Sequence, residues 1–243
     1  MNITYEPAIH FQQVNFSVDE LSILKNITGS IPKGKITTLV GPSGAGKTTL
    51  LKMCNGLLSP TAGTIFIDNQ PITSYEPTAL RRHVSIALQA APMITGTVFD
   101  NLALPRSLQG EKLTHQEAIQ YLQDVGLDKN FLQRPANELS GGQRQKVSIA
   151  RTLINKSSIL LLDEITSALD RQSALDIESL ILTINKKYNV TIIWITHNLQ
   201  QALTIGHFTW VMMDGELVET GESSLLNTPK NPRVAEFVKG VDA

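Results

Sequence analysis

Nine residues limit the architecture more than any others: Gly41-Pro42-Ser43-Gly44-Ala45-Gly46-Lys47-Thr48-Thr49. They fit G-x-x-x-x-G-K-[ST], a loop whose glycine-rich backbone wraps a phosphate group. The pattern works only between a strand and a helix, and both flanks suit it. Ile36-Thr37-Thr38-Leu39-Val40 reads as a buried strand, and Leu50, Met53, Cys54 and Leu57 recur at the spacing of one helix face. Backbone amides and the helix N-terminus would then face an anion. Lys47 would reach the β- and γ-phosphates of a nucleotide, and the Thr48 hydroxyl would hold Mg²⁺. The competing reading is a glycine-rich turn that matches by chance. The correct flanks, and the acidic residues downstream, argue against it.

Strand and helix patterns alternate along the rest of the chain. Ile9 to Val18 and Leu21 to Ile31 read as two antiparallel strands around Asp19-Glu20. Thr64 to Asp68 is a further strand, and Val84 to Leu88 a short buried one ending at Gln89. From about Ala90 to Glu138 strand signals vanish. Thr114 caps a helix with Ala118, Tyr121, Leu122 and Val125 on one face, ended by Gly126. Another helix follows Ser140 and runs to about Asn155, so residues 90–155 read as a helical subdomain. Ile159-Leu160-Leu161-Leu162 is a continuous apolar run, as in a parallel strand covered on both faces. Arg171 to Tyr188 reads as a helix and Val190 to Thr196 as a buried strand. Phe208 to Met213 and Glu216 to Glu219 form a hairpin around Asp214-Gly215, followed from Leu225 by a short helix and tail. The expected class is α/β with a mainly parallel sheet.

Composition excludes several classes. The 243 residues allow one large domain, and a hydrophobic share of 42% supports a real core. Net charge is -1 without a Lys/Arg block, so no nucleic-acid partner is expected. The single cysteine, Cys54, excludes an intrachain disulfide and reads as a small buried filler. Met1 to His10 carries no leader pattern, and no uncharged apolar run reaches the length of a membrane span. The expected location is the cytoplasm.

The chemistry gathers at strand ends. Asp163 and Glu164 follow the apolar run at the edge where open α/β sheets bind ligands. Asp163 would hold Mg²⁺ through water, and Glu164 would deprotonate the attacking water. His197 ends the next buried strand and would sense the γ-phosphate. Gln89 has the same placement; its amide oxygen can ligate Mg²⁺ and contact the attacking water. His10, His83, His115 and His207 read as structural. Ser140 is a good N-cap, and with Gly141, Gly142 and Gln143 it opens a helix. That is a second anion site, separated from the first by the helical insert. It suggests two chains, each offering these residues to the nucleotide held by the other.

With these motifs in order, almost the whole chain resembles an ATP-binding-cassette (ABC) nucleotide-binding domain. Gly41 to Thr49 matches its Walker A loop, Gln89 its Q-loop and Leu139 to Gln143 its signature. Ile159 to Glu164 matches Walker B with the catalytic glutamate, Ser167 to Asp170 the D-loop, and His197 the switch histidine. The resemblance implies a P-loop NTPase over residues 1–243, with an antiparallel β subdomain beside the parallel core and the helical subdomain. It implies ATP and Mg²⁺, and a head-to-tail homodimer or paired cassette. It also implies a multi-spanning membrane permease coupled through a groove beside Gln89, which would hold the chain on the inner face of the cell membrane. The family commonly stacks an aromatic residue on adenine where Val18 stands here. Loss of such a stack weakens binding by ~1–3 kcal/mol in nucleic-acid cases. Phe16 alternates onto the same strand face. Ile165 stands where proline commonly follows Walker B.

Thr95 to Leu102 is similar to exporter-type cassettes. Asp163 to Asp170 and Trp194 to His197 resemble the cytoplasmic subunit of Fet-type iron exporters. Phosphate-import ATPases are the nearest transporter alternative. A soluble iron-sulfur-assembly ATPase is the alternative outside transport. DNA-maintenance members carry long coiled coils and translation-linked members two cassettes, and neither pattern occurs here.

Overall fold

The computed structural model describes residues 5–241. Residues 1–4, part of the stretch read for a leader, and residues 242–243, the end of the tail, lie outside the described residues.

Two sheets organise the chain. β1 (Pro7–Val18) and β2 (Leu21–Pro32) form a long antiparallel hairpin that closes with Val18 opposite Leu21. β4 (Ala62–Ile67) pairs with β1 and β5 (Gln70–Pro71) with β4, giving an antiparallel sheet of order β2-β1-β4-β5. The second sheet is built from β3 (Ile36–Val40), β6 (Val84–Leu88), β7 (Ile159–Asp163), β8 (Thr191–Ile195), β9 (Phe208–Met213) and β10 (Glu216–Glu222). Its order is β10-β9-β3-β8-β7-β6, parallel throughout except for the edge strand β10.

Side chains leave the parallel strands to alternate faces, so each strand feeds two cores. Leu161 and Ile193 point into one core with Ile9, Phe11 and Ile27 of the antiparallel sheet. Helix α1 (Lys47–Cys54) fills that space with Leu50, Leu51, Met53 and Cys54. Leu160, Leu162, Ile192 and Trp194 face the other way, onto α5 (Gly141–Ile154) and α6 (Arg171–Tyr188). Burying each of these side chains contributes about 1.5–3 kcal/mol. Cys54 is 1% exposed, and burial pushes its thiol up to about 12, so it is filler as expected.

The insert after β6 is helical. α3 (Val98–Ser107) and α4 (His115–Asp124) precede α5, and all three begin with a reciprocal capping box: Thr97 with Asp100, Thr114 with Glu117, Ser140 with Gln143. Val98, Leu102, Ala118, Leu122 and Val125 join the same core as Leu160 and Leu162. Asp124, at the end of α4, accepts hydrogen bonds from Lys187 Nζ (2.6 Å) and the Tyr188 hydroxyl at the end of α6. Among the described residues there are three further α-helices: α2 (Pro77–His83), α7 (Leu199–Ile205) and α8 (Pro232–Val241). Among the described residues no helix is long and apolar enough to cross a membrane.

One core expectation is corrected. Leu57 does not extend the apolar face of α1; it is 49% exposed. The helix stops at Cys54 because Gly56 turns left-handed (φ 68°) and Leu57 N donates to Lys52 O (3.0 Å). That is a glycine-terminated helix end.

Candidate functional site

The phosphate loop leaves β3 and enters α1. Gly41 is fixed by a close approach: at φ 143° a Cβ would lie 1.9 Å from the Met212 carbonyl oxygen. Gly44 (φ 80°) has nothing within 4 Å of that position, so the crown of the loop is open. Pro42, Ser43 and Gly44 are exposed and Ala45 is buried. Lys47 is 5% exposed, and its Nζ donates to the carbonyl oxygens of Gly41 (2.7 Å) and Pro42 (2.8 Å). Burial lowers its pKa from the ordinary lysine range, opposed by the charges of Glu164 and Asp163. Among α1–α7, only α1 lacks a side-chain cap, because Gly46 at its N-cap has no side chain to give. Thr48 and Thr49 lie in that uncapped first turn. Its amides have no partner within the helix and suit an anion.

The carboxylates meet this loop through strand register. Leu88 pairs with Asp163 and Asp163 with Ile195, so Gln89, Glu164 and Thr196 leave the sheet in one row, with His197 a residue further. Thr48 Oγ1 donates to Asp163 Oδ1 at 3.2 Å. Burial raises the Asp163 carboxyl above the ordinary range, the Thr48 bond and the lysine charges pulling the other way. Glu164 Oε1 lies 2.7 Å from His197 Nε2. Glu164 also holds a left-handed backbone (φ 51°), which costs a non-glycine residue of order 1 kcal/mol or more and is common at functional sites. Beside the pair opens a cleft of about 740 Å³, lined by Glu164, Thr166, His197 and Gln201 among others. Gln89 is exposed at the end of β6.

The donor set fits a magnesium nucleotide. Mg²⁺ takes hard oxygen ligands, commonly one or two carboxylates plus substrate phosphates. The Thr48 hydroxyl and the Asp163 carboxylate supply such oxygens beside the uncapped helix end.

Other expected residues stand apart. Ser140 Oγ accepts from Gln143 N (3.3 Å), and Gln143 Oε1 accepts from Ser140 N (3.0 Å). The capping box therefore uses part of the anion-binding potential; the Gly141 and Gly142 amides and the Ser140 proton remain. A Cβ on Gly141 or Gly142 would meet Leu169 or Ser173, so this stretch packs against the start of α6. Among the described residues it makes no hydrogen bond to the phosphate loop of its own chain. Val18 is 49% exposed at the hairpin tip, across from Leu21. Phe16 does not share its surroundings: it packs on the core, and β1 is irregular between Phe16 and Ser17. The sequence reading missed Gln201, 4% exposed, whose Nε2 donates to Glu178 Oε1 (2.7 Å) and Thr166 Oγ1 (3.1 Å). Its one signal was a glutamine among the apolar positions of α7.

Comparison with known proteins identifies the family. A family model described as ABC transporter matches residues 24–167. The chain is 44% identical to the putative ABC transporter ATP-binding protein YjkB of Bacillus subtilis (strain 168), covering 96% of this chain and 95% of that protein. It is 38% identical to ABC transporter I family member 17 of Arabidopsis thaliana, over 96% and 89%. The solved structure of CbiO1 from Clostridium perfringens, part of the ABC transporter complex cbiONQ, superposes with a TM-score of 0.84 at 25% identity, covering 98% of this chain and all of that one. The open phosphate loop, the carboxylate row and these matches lead to one conclusion: the chain belongs to the ABC transporter family, among its ATP-hydrolysing subunits.

Proposed function

We propose that the chain hydrolyses Mg²⁺-ATP between two head-to-tail copies and so drives a separate multi-spanning permease. The observation that carries the reading is the pair of contacts at neighbouring strand ends, Thr48 to Asp163 and Glu164 to His197. In this mechanism Lys47 leaves the Gly41 and Pro42 carbonyls for the β- and γ-phosphates, while the first amides of α1 hold the same anion. Glu164 takes a proton from the attacking water as the water oxygen bonds to the γ-phosphorus, the bond from that phosphorus to the β–γ bridging oxygen breaks, and ADP leaves with the bridging oxygen. His197 holds the Glu164 carboxylate from its exposed side and faces the terminal phosphate. Gln89 orients the attacking water. Thr48, Gln89 and, through water, Asp163 would hold Mg²⁺, which would supply neutralisation of charge on the phosphate oxygens. Ser140, Gly141, Gly142 and Gln143 act on the nucleotide of the partner copy, and Val18 lies at the adenine. Residues 1–243 act as one nucleotide-binding unit, with residues 90–155 as its helical subdomain.

The permease would dock in the groove between the core and the helical insert, beside the Gln89 loop. That groove, about 720 Å³, is lined by Leu57, Ile86, Leu104 and Leu108 together with Arg81 and Arg82. Docking there would hold the chain at the inner face of the membrane. For cargo we take iron or another metal ion, moved outward, on the resemblance of Asp163–Asp170 and Trp194–His197 to Fet-type subunits. The test is a pull-down with tagged Glu164→Gln in mild detergent with ATP and Mg²⁺. Co-purification of one multi-spanning protein supports the reading. A permease with an external binding protein would redirect it to import, phosphate first. Soluble partners alone would overturn the transporter reading in favour of an assembly ATPase. Cells lacking the chain should accumulate iron; unchanged metal content would remove the cargo assignment alone.

A further inference from the structure

The loop that leaves β6 carries Gln89, and side chains of α5 hold its backbone on both sides of that residue. Gln145, 1% exposed, donates from Nε2 to the carbonyl oxygen of Leu88 (3.3 Å). Arg151 donates from Nη2 to the carbonyl oxygen of Pro92 (2.7 Å). The two side chains stand six positions apart, about 9 Å along a helix axis. Between them the loop folds tightly: Ala91 N donates to the same Leu88 oxygen (3.1 Å), and Ala91 is left-handed (φ 42°) and buried. Further on, buried Asn101 of α3 brackets Ile94, accepting from its N–H (2.9 Å) and donating to its carbonyl (3.1 Å). The strand ladder of the core holds this segment only as far as Leu88, opposite Asp163. Beyond it, these side-chain bonds all come from the helical insert.

Gln145 interrupts the apolar positions of α5, among Val147, Ile149 and Ala150, which are fully buried. A buried amide is costly unless hydrogen-bonded. Its bond to Leu88 sits one residue from Gln89.

We infer that Gln145 and Arg151 are positioning residues that fasten the Gln89 loop to α5. The reach of Gln89 toward the terminal phosphate then follows the position of the helix that begins at Ser140. The inference rests on the role given to Gln89 above.

The test is a double-mutant cycle in ATP turnover of the full chain: Gln89→Ala, Gln145→Met and both together. Methionine keeps the length of glutamine and removes its donor. Gln145→Met should lower kcat about tenfold to a hundredfold, the scale of a misplaced catalytic group, with little change in KM for ATP. The double variant should be no slower than Gln89→Ala alone. Losses that multiply would overturn the inference and leave the role of Gln89 standing. Gln89→Ala with full turnover would overturn both. Arg151→Lys keeps a donor and should retain turnover that Arg151→Met loses; equal loss in the two removes Arg151 from the device. Hydrogen exchange gives a readout independent of turnover. Amides of Gln89, Ala90, Ala91 and Met93 should exchange faster in Gln145→Met, and unchanged exchange there overturns the fastening itself.

Discussion

His197 Nε2 stands 2.7 Å from Glu164 Oε1, although the residues are 33 positions apart in the chain. Parallel pairing of β7 with β8 brings them together, and the left-handed backbone at Glu164 turns its side chain out of the strand line. The carboxylate is thus held before any substrate arrives, on the open side of the sheet. Removing its charge while keeping its shape is the most direct probe of the chemistry. Glu164→Gln should bind ATP, lose ~10²–10⁴ in turnover and accumulate as an ATP-bound dimer. Turnover assays and size-exclusion chromatography read the two effects. Near-normal turnover would remove Glu164 as the base.

The Ser140 end of α5 separates one-chain from two-chain function. Ser140→Ala loses the cap and so costs stability, typically ~1 kcal/mol. Gly141→Asp places a carboxylate where a phosphate is expected, and its Cβ meets Leu169 Cδ2 at 3.3 Å. Both variants should impair hydrolysis and spare ATP binding by the monomer, measured by titration at low protein concentration. A variant that weakens monomer binding instead would mean the stretch serves its own chain's nucleotide.

The hairpin tip offers a gain of function. Val18 is half exposed and supplies little surface for a base. Val18→Tyr should tighten ATP binding by up to ~1–3 kcal/mol, the worth of a base-aromatic stack. Titrations with ATP and GTP check it. Equal affinity before and after the change would place the base elsewhere.

His207 gives a pH-dependent contribution to stability away from the site. Its Nδ1 accepts a hydrogen bond from Ile36 N (3.1 Å), which requires a neutral ring. The residue is exposed as a whole, but partial desolvation of its ring, and then the charge of Lys35, hold its pKa below the ordinary value. The unfolded chain therefore takes up this proton first. The contribution is complete above the unfolded value of about 6.5 and is lost as pH falls below it. His207→Gln should flatten the fall of melting temperature on the acid side of that value. An unchanged slope would assign the effect to other groups.

Local pattern carried much of this fold. The apolar run at β7, the caps at Thr114 and Ser140, and the Asp214-Gly215 turn each state their structure in a few adjacent residues. The strand β3 and helix α6 were legible with their observed bounds, Ile36–Val40 and Arg171–Tyr188. Short helices were not. α2 and α7 have seven residues each, too few to show a periodic face, and their starts depend on side-chain caps from Glu76 and Asn198. α3 was hidden by Pro105 inside it, although Thr97 and Asp100 spell the same capping box as Thr114 and Glu117. Leu57 misled because spacing alone does not reveal that Gly56 turns left-handed and ends the helix. At the site, strand ends pointed to Gln89, Asp163, Glu164 and His197. Gln145 and Gln201 were missed because a buried glutamine is explained only by the distant atom it meets.

The bare start of α1 has a consequence for how the chain melts. Six other helices close their first turn with a side chain, and in the proposed mechanism this one leaves the task to the nucleotide. Nucleotide is then part of the finished fold as well as the fuel. At a hundred times its dissociation constant, a ligand bound only by the native state adds about 2.7 kcal/mol to stability. Heat resistance of this chain would accordingly track the nucleotide supply around it, and a starved population would be the first to unfold and be cleared.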